Sequence, residues 1–441
     1  MTIDKKKPLL NTQCFDVVIS GGGLSGSLMA LSLADLKKAD GSLLSIAIVE
    51  AIKPVVTDST NTKPLFDDRV LALSHGSASY LKEMGVWQHL SNEACAIEKI
   101  DISDRSHYGK ARLEAQEHGV SALGYVIEMA LIGKAQLKTL ATKSNVSWFS
   151  PDCITGIDWQ ANNQSKAQES DAQESEQKNE HKNTHARKIE VKLDSGQSIQ
   201  TSLLLACDGA NSPCRQLAGI NTSYSDYQQV ALIANVATKK SHNNKAFERF
   251  TEFGPLAMLP LTELNGESRC SLVWTMSAEQ SEDILALNNN EFKQKLELAF
   301  GSWLGAITQV GKRDVYPLVL LQASQQTYHR MALIGNASHT IHPIAGQGFN
   351  LGLRDVQQMS TLIKQALNES TDTDIGSFSL LNVYAQKRQQ DQKQVIALTD
   401  SLVTLFANDL SPLVAGRNIG LKVMNYFSPL KNTLVNKLMG Y

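Results

Sequence analysis

At 441 residues the chain is too long for one small core, and two domains are expected. An apolar fraction of 42% and a charged fraction of 20% mark an ordinary globular protein, and a net charge of -2 gives no electrostatic case for nucleic acid. The six cysteines are scattered without a CxxC, which argues against a zinc site or a disulfide framework and for a reduced, cytoplasmic setting. Lysine-rich Met1 to Pro8 is followed by a stretch too polar for a signal-peptide core, and no apolar run reaches the length that spans a bilayer.

Phe15 to Ser20 is a short apolar, β-branched run closed by glycines, the pattern of a buried parallel strand. Leu24 to Lys38 carries apolar residues at helical spacing, and Ser45 to Val49 is a second strand ending at Glu50. The stretch 162–188 is almost free of large apolar residues and cannot offset its ordering entropy. It is expected to be a lengthened turn between the strands Cys153 to Trp159 and Lys188 to Leu193, since loop closure costs little more as a loop grows. Leu203 to Cys207 is a further strand, closed by Asp208-Gly209. From Ser223 to Tyr316 the alternation, as in Gln229 to Ala237 and Arg269 to Met276, predicts an antiparallel sheet. Met331 to Ile334 is one more buried strand, and the chain after Asn350 is mostly helical.

Three motifs carry chemistry. Gly21-Gly22-Gly23-Leu24-Ser25-Gly26 fits G-x-G-x-x-G between a strand and a helix. Its first glycine permits the tight turn, the second lets a pyrophosphate approach the backbone, and the third lets helix and strand pack closely. Glu50, at the end of the next strand, can accept from both ribose hydroxyls of an adenosine. Asp208-Gly209-Ala210-Asn211-Ser212 is the second motif; alone, it reads as a turn. The third runs from Gly335 to Asn350, a glycine-rich segment with His339, His342 and Pro343 that enters a helix near Gly348. Glycine turns at both ends of the chain suggest a large anionic cofactor gripped from two sides.

Together with Arg69-Val70-Leu71-Ala72-Leu73-Ser74, these motifs resemble the single-component FAD-dependent aromatic hydroxylases. Within them the chain is most similar to the ubiquinone-biosynthesis hydroxylases. Asp104-Arg105-Ser106-His107, the Gly254 to Thr262 segment and the Leu413 to Leu421 segment are most like those of the 2-octaprenyl-6-methoxyphenol hydroxylases. The resemblance spans nearly the whole chain apart from the polar insertion.

The resemblance implies an α/β fold: a discontinuous Rossmann-like FAD-binding domain, an inserted mostly antiparallel substrate sheet, and C-terminal helices. The expected boundaries are 12–110 for the first FAD-binding part, 111–222 for a mixed part returning to it, 223–325 for the sheet, 326–379 for the second FAD-binding part and 380–441 for the helices. Gly21, Gly23 and Gly26 would hold the pyrophosphate and Glu50 the ribose. Arg69 would reach the phosphates or the flavin, and Asp208 and Gly209 would lie near the pyrophosphate. The family usually has Asp where this chain has Asn336, so ribityl contact there loses one charge. Pro343, Gly346, Gln347, Gly348 and Asn350 would face the pyrimidine edge of the flavin, where donors stabilise the anionic reduced ring.

The implied reaction is NAD(P)H-driven reduction of FAD, formation of a C4a-hydroperoxide with O2, and hydroxylation of a polyprenylated phenol in an apolar cavity. His339, His342 and His75 are the candidate bases for the phenol, beside a reaction that needs no base. No metal ligand cluster is present. Val395, Leu398, Leu402, Leu405 and Phe406 form an apolar helical face. That face suits packing on the FAD domain, or docking to the inner-membrane surface or to proteins of a ubiquinone-biosynthesis complex. The alternatives on the same scaffold are a prenyl-lipid reductase or other flavin oxidoreductase, and a non-catalytic lipid-binding escort.

Overall fold

A computed structural model describes residues 13–54, 69–105, 110–160, 188–251, 254–341, 346–370, 373–406, 435 and 439–440. The chain opens with β1 (Gln13–Ser20), α1 (Leu24–Ala34) and β2 (Ile46–Val49). It continues through β3 (Val70–Ser74), α2 (His75–Glu83), β4 (Cys95–Ile97), β5 (Lys99–Asp104), β6 (Lys110–Glu114), β7 (Gly124–Glu128), α3 (Met129–Leu140) and β8 (Val146–Phe149). Next come β9 (Ile154–Asp158), β10 (Ile189–Leu193), β11 (Ser198–Ala206), α4 (Pro213–Leu217), β12 (Thr222–Thr238), β13 (Lys245–Thr251), β14 (Gly254–Leu264) and β15 (Glu267–Ser277). The remainder is α5 (Ala278–Ala286), α6 (Asn289–Phe300), β16 (Ile307–Val310), β17 (Asp314–Ala323), β18 (Thr327–Tyr328), β19 (Met331–Leu333), β20 (His339–Thr340), α7 (Gln347–Glu369) and α8 (Phe378–Phe406).

Among the described residues the strands form three sheets. The first, with the order β18-β19-β11-β1-β2-β8, is parallel through β19, β11, β1, β2 and β8. Val17, Val18, Ile19, Ile46 and Ile48 are all fully buried, as expected of strands covered on both faces. The hairpin β9–β10 joins the edge of β11, on either side of the polar segment 161–187, which lies outside the described residues.

The second sheet runs β20-β17-β12-β15-β14-β13-β5-β6, with β16 beside β12. Its pairs are antiparallel except β13 with β5. Strands β5 and β6 join this sheet from well before position 223. The expected FAD-binding piece 12–110 therefore gives strands to all three sheets, β1 and β2 to the first, β3 and β4 to the third and β5 to the second, where β5 finds its backbone partner in β13, some 145 residues on. One face, with Leu232, Ala234, Leu256, Leu272 and Trp274, packs on Phe292, Leu296 and Phe300 of α6. The other faces β3, β7 and β4, which form the third sheet; Val70, Ile97 and Val126 pack on Ala246 and Leu261 there. A buried ion pair, Arg269 to Glu128 at 3.3 Å, ties the two sheets together.

Candidate functional site: a dinucleotide cradle

The first motif folds as the spacing requires. Gly21 has φ of +92°, and a Cβ there would lie 2.6 Å from the Cys207 carbonyl oxygen. A Cβ on Gly26 would lie 1.8 Å from the Gly21 oxygen, so these two glycines are demanded by the protein's own packing. Gly23 is different. Among the described residues a Cβ there would meet no atom within 4 Å, and the residue begins α1 without a side-chain cap or a first-turn acid. Its surroundings are open, and the α1 amides beside it are left for an anion.

Glu50 is anchored at the rim. One carboxylate oxygen accepts from the Gly22 amide at 2.6 Å and the other from the Ile52 amide at 2.9 Å. Each oxygen retains a lone pair for a hydroxyl. Asp208 accepts through one oxygen from Ser20 Oγ and from the Cys214 amide, while its other oxygen is buried with no partner among the described residues. Gly209 beside it has φ of +84° and an open Cβ direction.

The third motif closes the cradle from the far end of the chain. Gly335 has φ of +61°, and its missing Cβ would lie 2.9 Å from Ser25 Oγ at the start of α1. Its amide donates to Asp355 on α7 at 2.8 Å. Asn336 next to it is exposed on the short 3-10 turn 335–337, a geometry open to ribityl contact. Gly346 starts α7 in the left-handed region, with no side-chain cap and no acid in the first turn. Gly348 follows, where a Cβ would make only an ordinary contact with Ile341 at 3.9 Å, and Gln347 is buried, near Arg354.

Some expected site residues play other parts. The Asn350 amide nitrogen donates to the carbonyls of Ala72 and Gly346, and its oxygen accepts from the Ser74 amide. Its side chain is a clamp fixing the α7 entrance to β3, and this use leaves its amide protons committed inside the protein. His339 is buried with Nδ1 3.7 Å from Asp355, and burial lowers its pKa, so the ring is neutral. His75 holds the Ala122 carbonyl oxygen through Nδ1 at 2.9 Å. Arg69 is exposed; its carbonyl accepts from the Met129 amide. His342 and Pro343, Ser106, His107 and the Leu413 to Leu421 segment lie outside the described residues, as do the side chains of Leu398, Leu402, Leu405 and Phe406. Val395 is buried against Ile341, Leu351 and Ile396.

Sequence reasoning gave no role to Asp355, which organises this end of the site. It accepts from the Gly335 amide and from Arg388 Nε at 2.5 Å, while Arg388 also pairs with Asp391. The signal was its register on α7, four residues from Leu351 and from Met359, both buried, which marks a carboxylate aimed inward.

An open glycine turn between parallel strands, an acid on the next strand and an uncapped second helix define a dinucleotide-binding protein. Residues 14–399 match the family described as FAD binding domain, and the chain belongs to that family. It is similar to the ubiquinone hydroxylase UbiL of Rhodospirillum rubrum, 31% identical over 434 residues that cover 96% of this chain and 89% of the relative. It is also similar to the human ubiquinone biosynthesis monooxygenase COQ6, 29% identical with 96% and 92% covered. Among solved structures, p-nitrophenol 4-monooxygenase PnpA of Pseudomonas putida shares the fold, with a TM-score of 0.70 at 16% identity, covering 97% of this chain and 99% of that one.

Proposed function

We propose that this FAD-dependent monooxygenase hydroxylates the aromatic ring of a polyprenylated phenol in ubiquinone biosynthesis, with NAD(P)H and O2 as co-substrates. The observation that carries the reading is the open cradle at Gly23, kept in a chain similar over nearly its full length to ubiquinone hydroxylases. An escort protein that had lost its cofactor would have no use for a turn held open in this way.

FAD, when bound, supplies hydride acceptance and oxygen activation. The protein supplies the rest. The α1 amides from Gly23 onward hold the pyrophosphate, with Gly21 and Gly26 fixing the turn and Asp208 and Gly209 at its side. Glu50 accepts from the ribose, Asn336 contacts the ribityl chain and Arg69 reaches the phosphates. The α7 amides at Gly346, Gln347 and Gly348 aim donors at the electron-rich edge of the ring. His339 lies buried beside the α7 entrance, 3.7 Å from Asp355. Segments 12–110, 111–222 and 326–379 contribute the cofactor half, with β5 and β6 lent to the substrate sheet of 223–325.

Among the described residues no helix is long and apolar enough to cross a membrane. A prenyl substrate nevertheless requires delivery, and we assign the far C-terminal region to contact with the inner-membrane surface or with other proteins of the pathway. The test is incubation of the FAD-loaded protein with NADPH, heavy-oxygen O2 and a short-chain prenylated methoxyphenol. One labelled oxygen in the ring product is expected. A reduced but unoxygenated product, or normal ubiquinone after gene deletion, rejects the assignment.

A further inference from the structure

Strand β13 carries a carboxylate where an apolar site is expected. Residues paired across the second sheet share a face, and neighbours along a strand alternate. Phe247 points to the α6 core. Glu248 therefore points to the opposite face, the one looking toward the third sheet. Its lateral neighbours in register are Ile102 on β5, Ala257 on β14, Val273 on β15 and Ile233 on β12.

This row is apolar apart from Glu248. Ile102, Glu248, Val273 and Ile233 all remain partly accessible. Around it the face is closed: by Val70, Ile97 and Val126 on Ala246, and by Val435 and Met439 packing with Leu113 beside Ile100 and Ile102. The row is thus a strip of sheet left uncovered between covering layers.

Glu248 makes no hydrogen bond or ion pair among the described residues. The charged groups around it are turned elsewhere or engaged. Arg249 points to the other face, where it donates to the Ala299 carbonyl and lies 5.1 Å from the Trp303 ring centre. Lys245 pairs with Asp101 on that same other face. Asp104, two positions along β5 from Ile102, has its own polar partner. Ala257, Ala111, Val435 and Met439 bring no charge. Burial alone pushes the Glu248 carboxyl up to about 7.

A lone carboxylate on an otherwise apolar strip is costly unless a ligand partners it. We infer that Glu248 hydrogen-bonds the phenolic hydroxyl of the substrate and takes its proton, with the ring and its apolar substituent lying on Ala257, Val273 and Ile233. This inference rests on the phenol hydroxylase reading above. The step is balanced: the phenol O–H bond breaks, its electron pair stays on oxygen, and the proton forms an O–H bond on the Glu248 carboxylate. The phenolate so formed is a more electron-rich ring, and the proton leaves to solvent when product departs.

The test uses FAD-loaded wild type and Glu248→Gln, titrated with a short-chain 2-prenylphenol from about pH 5 to about pH 9 while phenolate absorbance and hydroxylation are followed. In wild type hydroxylation should rise through neutral pH, as Glu248 loses its proton and becomes able to take that of the phenol. In Glu248→Gln the rise should shift toward the phenol's own range of about 10. Hydroxylation should fall about 100-fold at neutral pH with FAD content unchanged. Glu248→Asp should keep the neutral-range rise in part. An unaltered pH profile and rate in Glu248→Gln overturn the inference. So does a wild-type rate that does not rise through neutral pH, whether or not the variant folds. Wild type that binds no phenol rejects the parent reading as well, and the two failures are thereby distinguished.

Discussion

The two halves of the molecule keep their polar accounts differently. In the sheet half, α5 and α6 each begin with a complete capping box, Ser277 with Gln280 and Asn288 with Glu291. In the cofactor half, α1 and α7 begin at glycines with no side-chain cap, and Asp208 has a buried oxygen without a described partner. Capping by side chain satisfies a helix end within the protein; leaving it bare is sensible where a ligand completes it. In the sheet half these helix ends are closed by side chains, while the side chains of Glu248, Asn235 and Ser271 have no partner among the described residues.

The comparison can be broken by substitution. The largest effect is expected from Asp355→Ala, which leaves the Gly335 amide without its partner and takes from buried Arg388 one of its two carboxylates. A loss of about 3–5 kcal/mol in denaturant unfolding is expected, with FAD release, and a loss under about 1 kcal/mol would show that Asp355 does not organise the third motif. Next, Glu248→Gln should stabilise the protein at high pH. The folded carboxyl holds a proton from its ordinary 4.5 up to about 7, whereas the unfolded chain releases it. Folding stability therefore falls as pH rises through that window, and removing the group should recover about 1–3 kcal/mol at pH 8 and little at pH 4. Unfolding at the two pH values checks the sign.

Two glycines offer the sharpest contrast. Gly26→Ala forces a Cβ against the Gly21 oxygen and should cost about 1–3 kcal/mol even without FAD. Gly23→Ala meets only open space, so the FAD-free protein should change by less than about 0.5 kcal/mol while FAD affinity drops about tenfold or more. Equal effects on the FAD-free protein would remove the distinction between packing and ligand glycines. The smallest effect is expected from Ser277→Ala, about 1 kcal/mol by thermal unfolding with FAD affinity untouched.

Much of the parallel half was legible because local pattern and fold agree there: Phe15 to Ser20, Ser45 to Val49 and Leu203 to Cys207 each read as a buried strand from composition alone. The hairpin flanking 161–187 was legible for the same reason. What stayed hidden depends on non-local placement. The pairing of β5 with β13 is a long-range choice between edges, with no local signature. Asn350 looks like a ligand contact until its clamp on Ala72 and Ser74 is seen, and His339 looks like a base until its burial is known. Glu248 sits in the stretch Lys245 to Thr251, where a charged residue next to Phe247 and followed by Arg249 reads as a solvent-facing position. Only the covering layers on either side of its strip reveal otherwise.

The contact of Gly335 with Ser25, fastened by Asp355, has a bearing on synthesis. A ribosome must deliver more than three hundred residues after the first glycine turn before the segment that completes its binding site emerges. Domains fold as units while the chain is made, and non-local closures come late. Cofactor capture is then an event of the finished chain, so a nascent or truncated product ending before Gly335 should emerge colourless and exposed to quality control.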